Sequence, residues 1–227
     1  MDTNNPFSIR TTTGRRLSRL RQAEKQALQV VLPKVELSPQ NKDVLQKYRE
    51  RYKKVVLEIG FGRGDFLLKK ANQCQDTLFI GVEVFLAGVA KLLRRMVNYD
   101  NKSNPLPENI LISTNDVRVV LSEIIPEAFI DRVYILFPDP WPKKRHHKRR
   151  LLKVEFINML TKKLKKEGDI IVATDCESYA EEIMNNFQKA GYKCIEHDIQ
   201  EVFQTKYAIK ARQKGHPIYS FRFVRST

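Results

Sequence analysis

The stretch VVLEIGFGRGDF, residues 55–66, decides the fold. Its first half is an apolar run interrupted by one acid, Glu58. A run apolar on both faces suits a strand buried inside a parallel sheet. Its second half is a glycine-rich turn, Gly60, Gly62 and Gly64, that leads into a helix-like segment. Glycines in such a turn let a ligand approach the backbone closely. The spacing is G-x-G-x-G, not the G-x-G-x-x-G that cradles a pyrophosphate. Glu58, just ahead of the first glycine, would repel a phosphate and welcome a cation.

Further apolar runs follow at residues 78–84 (LFIGVEV), 109–116 (NILISTND), 132–139 (RVYILFPD) and 168–175 (GDIIVATD). Amphipathic stretches at 86–97, 151–164 and 179–189 separate them. Strand–helix alternation predicts an α/β fold with a mostly parallel sheet and helices on both faces. Two later runs, YKCIEHDI and YSFRFVR, are expected to pair antiparallel at the sheet edge, with no long helix between them. Residues 1–50 are basic and polar, with one helix expected near 23–31, and are read as an N-terminal extension, partly flexible. Residues 51–227 then form the folded domain.

Ligands of open α/β sheets sit beyond the carboxyl ends of the strands. The acids placed there are Glu58, Glu83, Asp116 and Asp139. Glu83 stands where an acid hydrogen-bonds ribose hydroxyls. Asp116 is placed to touch an adenine-type amino group. Together they imply a ligand with a nucleoside, a cationic part and no phosphates, a description that S-adenosylmethionine satisfies. A lone strand-end acid is usually a helix cap; the coincidence of these acids is what carries the reading.

The chain of 227 residues carries a net charge of +15, which points to a polyanionic partner. No apolar run approaches the roughly 20 residues needed to cross a bilayer. Arg10, Arg15, Arg16, Arg19 and Arg21 read as a basic arm rather than a targeting peptide. Cys74, Cys176 and Cys194 show no C-x-x-C spacing, so a reducing cytoplasm and no zinc site are expected. The cations concentrate in FPDPWPKKRHHKRRLLK, where Lys143, Lys144, Arg145, Lys148, Arg149, Arg150 and Lys153 follow Asp139 without an intervening acid. Such a run can neutralise several phosphates. Pro138, Pro140 and Pro142 fix the backbone around Asp139 and Trp141, and Trp141 can stack on a splayed base. His146 and His147 lack a third ligand, so no metal is expected.

The segments LEIGFGRGDF, GVEVF, FPDPWPKKRHHKRR, TDCESYAE and TKYAIKARQKG together resemble the bacterial tRNA (guanine-N7-)-methyltransferase family. The arm IRTTTGRRLSRLRQ resembles it more loosely. The resemblance implies a Rossmann-like class I methyltransferase acting on a variable-loop guanosine of tRNA. It implies that Glu58, Glu83, Asp116 and Asp139, with Gly60, Gly62 and Gly64, bind or face S-adenosylmethionine. Asp139 is then the catalytic position. Lys143, Asp175, Thr205, Lys206 and Tyr207 are implied to contact the substrate. The stretch Arg145, His146, His147, Lys148, Arg149 and Arg150 is implied to touch RNA. One departure stands out: the family pattern T-x-(Y/F)-E has Ala208 where the glutamate belongs. Expected partners are tRNA and no membrane or obligatory protein, with the chain a monomer or homodimer. A methyltransferase for another RNA or base atom, an NAD-dependent oxidoreductase and a catalytically silent RNA-binding module are the alternatives. The glycine spacing with Glu58 disfavours the oxidoreductase, and a silent module has no need of the pocket acids.

Overall fold

The computed structural model describes residues 20–97, 106–196, 200–203 and 205–226. A seven-stranded sheet runs in the order β3-β2-β1-β4-β5-β7-β6. The strands are β1 (Lys54–Ile59), β2 (Thr77–Val82), β3 (Ile110–Ser113), β4 (Ile130–Leu136), β5 (Leu164–Thr174), β6 (Tyr192–Ile195) and β7 (Tyr219–Arg225). The first five are parallel, whereas β7 is antiparallel to both β5 and β6. The helices are α1 (Gln22–Val30), α2 (Leu32–Val35), α3 (Val44–Arg51), α4 (Asp65–Gln73), α5 (Leu86–Val97), α6 (Val117–Val119), α7 (Val154–Lys163), α8 (Glu177–Lys189), α9 (Gln200–Phe203) and α10 (Lys206–Gln213). A π turn, Val120–Ile124, continues α6.

Side-chain alternation splits the core between the two sheet faces. Val55, Leu57 and Ile59 of β1, with Val133, Ile135, Ile170 and Val172, pack beneath α3, α7 and α8. Val56, Tyr134, Leu136 and Ile171 face α1, α4 and α5. Glu58 shares the parity of Val56, so alternation sends it toward the α4 side. The stacked rings of Phe187 and Phe223, 3.9 Å apart, tie α8 to β7. Both are fully buried, and each contributes about 1.5–3 kcal/mol of apolar burial.

The expected division at residue 50 is not a break in packing. Ala27, Val31, Leu37 and Leu45 are buried in the common core, and Glu36 bridges to Ile112 beside β3. The arm as far as Arg19 lies outside the described residues. The antiparallel edge pair is present, with β6 at the edge and β7 inside it. Between β6 and β7 the chain forms α10, which the sequence did not announce.

Strands β2 and β3 lie to one side of β1, and β4 and β5 lie to the other. The chain therefore reverses its strand order between β1 and β4. A crevice opens there beyond the strand ends.

Candidate active site

Two cavities adjoin at this switch point. The larger, about 780 Å³, is lined by Gly62, Glu83, Asp116, Asp139, Trp141 and Arg149, among others. The smaller, about 120 Å³, is lined by Glu58, Asp65, Phe66, Thr205, Lys206 and Lys210, among others. Gly60, Leu136, Phe137 and Tyr207 line both.

The floor of the larger cavity is the glycine turn. Gly60, Gly62 and Gly64 have φ of +75°, +56° and +66°, the left-handed region that L side chains avoid. Glu83 holds this turn in place. The Gly62 N–H donates to Glu83 Oε2 at 2.8 Å, and the Phe85 N–H donates to Oε1 at 2.8 Å. Burial raises the Glu83 carboxyl above the ordinary carboxylate range, these N–H donors lower it, and Asp139 adds a further upward push. Each oxygen keeps a lone pair for a ligand hydroxyl.

Gly88 completes the turn, and sequence reasoning overlooked it. A Cβ there would stand 2.1 Å from the Gly62 carbonyl oxygen, so α5 can reach the turn only without a side chain at this position. The signal was a glycine inside an otherwise strong amphipathic helix pattern.

Asp116 lines the cavity but is already engaged. It accepts from the Arg118 N–H at 2.9 Å, capping α6, and pairs with the Arg118 guanidinium at 2.9 and 2.7 Å. Its expected contact with an adenine-type amino group would have to share those oxygens with Arg118.

Glu58 is 3% exposed, and its Oε2 has no hydrogen-bond partner among the described residues. Burial, reinforced by Glu83 and Asp65, pushes its carboxyl up from 4.5 to about 8. An unpartnered buried carboxyl is costly unless a ligand completes it.

Asp139 stands exposed on the loop after β4, between Pro138 and Pro140. Phe137 and Trp141 on either side have φ of +56° and +44°. Bulky residues in that region are strained, and such strain persists only where surrounding contacts enforce it. Phe137 stacks on Tyr207 with centroids 6.0 Å apart. The Tyr207 ring also lies 3.8 Å from where a Gly62 Cβ would be, so it roofs the junction of the two cavities.

Thr205 caps α10, accepting the Ala208 N–H at 3.2 Å. Thr-x-x-Glu is a capping box, in which the glutamate would bond back to the Thr N–H. With Ala208 that half is missing, and the Thr205 N–H donates to the Val202 carbonyl instead. Lys206 pairs with Asp65 at 3.3 Å. Lys143 and Asp175 line neither cavity; Asp175 lies 3.7 Å from His216.

The basic run forms a 3-10 helix, Lys144–Arg149. Lys143, Lys144, Arg145, Lys148 and Arg149 are exposed, and His146 and His147 are half-buried. The Arg149 guanidinium lies 4.8 Å from the Trp141 ring, and His146 meets that ring edge-on. Desolvation, then Arg149 and the neighbouring cations, hold His146 below its ordinary value. Arg150 departs from the expected RNA contact. Its side chain is 1% exposed and bonded to Glu182 at 2.6 Å, so it has no surface to offer a phosphate.

Sheet order, switch-point crevice and strand-end acids define a class I methyltransferase. Solved structures with the same fold include the 16S rRNA methyltransferase KamB, at 16% identity with a TM-score of 0.59 over 84% of this chain and 95% of that one. The 16S rRNA (adenine(1408)-N(1))-methyltransferase from Catenulisporales acidiphilia is similar at 13% identity and a TM-score of 0.58, covering 82% and 94%. The family model described as putative methyltransferase matches residues 52–221. The tRNA (guanine-N(7)-)-methyltransferase of Nitrosococcus oceani is 37% identical over 95% of this chain and 91% of its own length. That of Neorickettsia sennetsu is 36% identical over 79% and 77%. The chain belongs to the tRNA (guanine-N(7)-)-methyltransferase family, whose methyl donor is S-adenosylmethionine.

Proposed function

We propose that the protein methylates N7 of a variable-loop guanosine in tRNA, with Asp139 as the catalytic residue. The observation that carries the reading is Glu58: a buried carboxyl oxygen without a partner among the described residues, lining the small cavity that adjoins a cleft large enough for a nucleoside. Such a site fits a cationic nucleoside and suits a pyrophosphate poorly. The donor set matches S-adenosylmethionine: Glu58 toward its ammonium and sulfonium end, Glu83 toward ribose hydroxyls, and the wall near Asp116 toward adenine.

S-adenosylmethionine supplies an electrophilic methyl on a positively charged sulfur. Guanine N7 has a free lone pair and no proton to lose. The new N–C bond forms as the S–C bond breaks, its electron pair returns to sulfur, and the ring takes the positive charge. No general base is needed. The chain must align the two groups and stabilise charge arriving on the base. Asp139 at the cleft wall can do both, by accepting hydrogen bonds from the guanine edge and by its own charge. Lys143, Asp175, Thr205, Lys206 and Tyr207 are proposed to hold the substrate, and Arg145, His146, His147, Lys148 and Arg149 its backbone. N7 of a regular RNA helix lies in a deep, narrow groove that side chains read poorly, so a loop guanosine is the better target. The protein is proposed to work in the cytoplasm as a monomer or homodimer; among the described residues no helix is long and apolar enough to cross a membrane.

The test is nucleoside analysis of unmodified tRNA after incubation with protein and S-adenosylmethionine. 7-Methylguanosine mapped to the variable loop is expected. Methyl found only on an exocyclic nitrogen would overturn the mechanism.

A further inference from the structure

Arg150 closes the run of cations, yet it alone among residues 143–150 is buried. Its Nε donates to the Pro140 carbonyl at 2.9 Å. Its Nη1 donates to the Ser178 carbonyl at 3.2 Å and to Glu182 Oε2 at 2.6 Å, and its Nη2 to Ser178 Oγ at 3.1 Å. The guanidinium also lies 4.7 Å from the Tyr179 ring of α8. Pro140 is the neighbour of Asp139, inside the strained 137–141 turn. The planar fork therefore ties that turn to the first turns of α8, a rigid element packed on the sheet.

Resting on the methyl-transfer reading above, we propose that Arg150 is a positioning residue that fixes Asp139 through the Pro140 carbonyl, with Glu182 and Ser178 as its anchor. The left-handed Phe137 and Trp141 need an external restraint, and proline rings cannot supply one across the turn. The fork closes residues 140–150 into a loop pinned at both ends. Asp139 faces the cleft, and the exposed cations project to solvent. Lysine, a point charge, cannot reproduce the paired donors.

The test uses the full chain with Arg150→Lys, Arg150→Met and Glu182→Gln. Single-turnover methyl transfer at saturating tRNA and S-adenosylmethionine should fall about 10–100-fold in the Arg150 variants, the scale of a misplacement near 1 Å. Glu182→Gln, which keeps the shape of the anchor, should lose only a few-fold. Affinity for tRNA and its salt slope should not move. Trp141 is the chain's single tryptophan, so acrylamide quenching reports the loop without reference to methyl transfer. Quenching should rise in the Arg150 variants, while melting shows them folded. A weaker tRNA affinity with a shallower salt slope and an intact saturated rate would make Arg150 a phosphate contact. An unchanged rate with unchanged quenching in all three variants also overturns the proposal. Should wild-type protein make no 7-methylguanosine, the functional reading fails, and the quenching series still decides whether Arg150 fixes the loop. If Arg150→Met does not fold, Glu182→Gln carries the same test.

Discussion

The two loops that meet across the cleft, residues 60–64 and 137–150, reach fixed shapes by opposite means. The first is made of residues that tolerate its backbone: three glycines with positive φ, close against Gly88. The second places Phe137 and Trp141 where they are disfavoured, among prolines, and depends on Arg150 from ten residues further on. One loop is correct by local permission, the other by long-range constraint. The first suits a ligand of fixed shape. The second sets Asp139 and a run of exposed cations on one short segment.

The comparison breaks most visibly at Asp139. Asp139→Asn keeps hydrogen-bonding shape and removes the charge, so the single-turnover rate should fall by roughly two to three orders of magnitude. Affinity for S-adenosylmethionine should change far less, as calorimetry would show. An equal loss in both would merge the two loops into one binding unit.

The glycine side is probed at Gly88. Gly88→Ala drives a methyl into the Gly62 carbonyl, and overpacking of this kind costs about 1–3 kcal/mol. Calorimetry should show S-adenosylmethionine binding weakened by about 10–100-fold, with tRNA affinity retained. Loss of tRNA affinity instead would contradict the division of labour.

On the other loop, Lys148 and Arg149 replaced together by Ala should weaken tRNA binding by about tenfold. The slope of log affinity against log salt should become shallower by roughly 1.4–1.8, two phosphate contacts' worth. Filter binding at several salt concentrations measures it, and an unaltered slope would leave these residues as solvated surface.

The smallest effect concerns Glu58. Its folded pKa, about 8, lies above the ordinary 4.5, so the fold favours the protonated form. The stability it contributes is complete below pH 4.5 and is lost as pH rises through 8. Ligand-free wild-type protein should therefore lose a few more degrees of melting temperature between about pH 6 and about pH 9 than Glu58→Gln does, at roughly 2–4 °C per kcal/mol for a chain of this size. Identical pH profiles would show that Glu58 is solvated in the free protein.

Much of this architecture was legible because parallel strands advertise themselves as unbroken apolar runs. Each expected strand falls within a few residues of an observed one, and the edge pair of β6 and β7 was readable from two late runs with no long helix between them. The acids could be placed because Glu83, Asp116 and Asp139 close their runs and Glu58 interrupts its own just before the glycine turn. Arg150 could not, since a run of cations carries no sign of which one turns inward. α10 was hidden for a related reason: it buries only Ala208 and Ala211, too little to set up an apolar period. β5 starts at Leu164 and carries Lys165, Lys166 and Glu167 before its apolar half, so the apolar run that marks it begins only at residue 168 and Leu164 reads as the end of the preceding amphipathic stretch. The integration of α1–α3 was masked by polar residues that outnumber the few buried ones.

β7 is the last strand in chain order, yet it lies inside the sheet, between β5 and β6. During synthesis β5 therefore waits with an open edge until residues 219–225 leave the ribosome, and open edges recruit other strands. A polypeptide interrupted before Tyr219 would own the glycine turn and the Asp139 loop but not a closed sheet. Premature termination should then yield aggregates rather than a weakened enzyme.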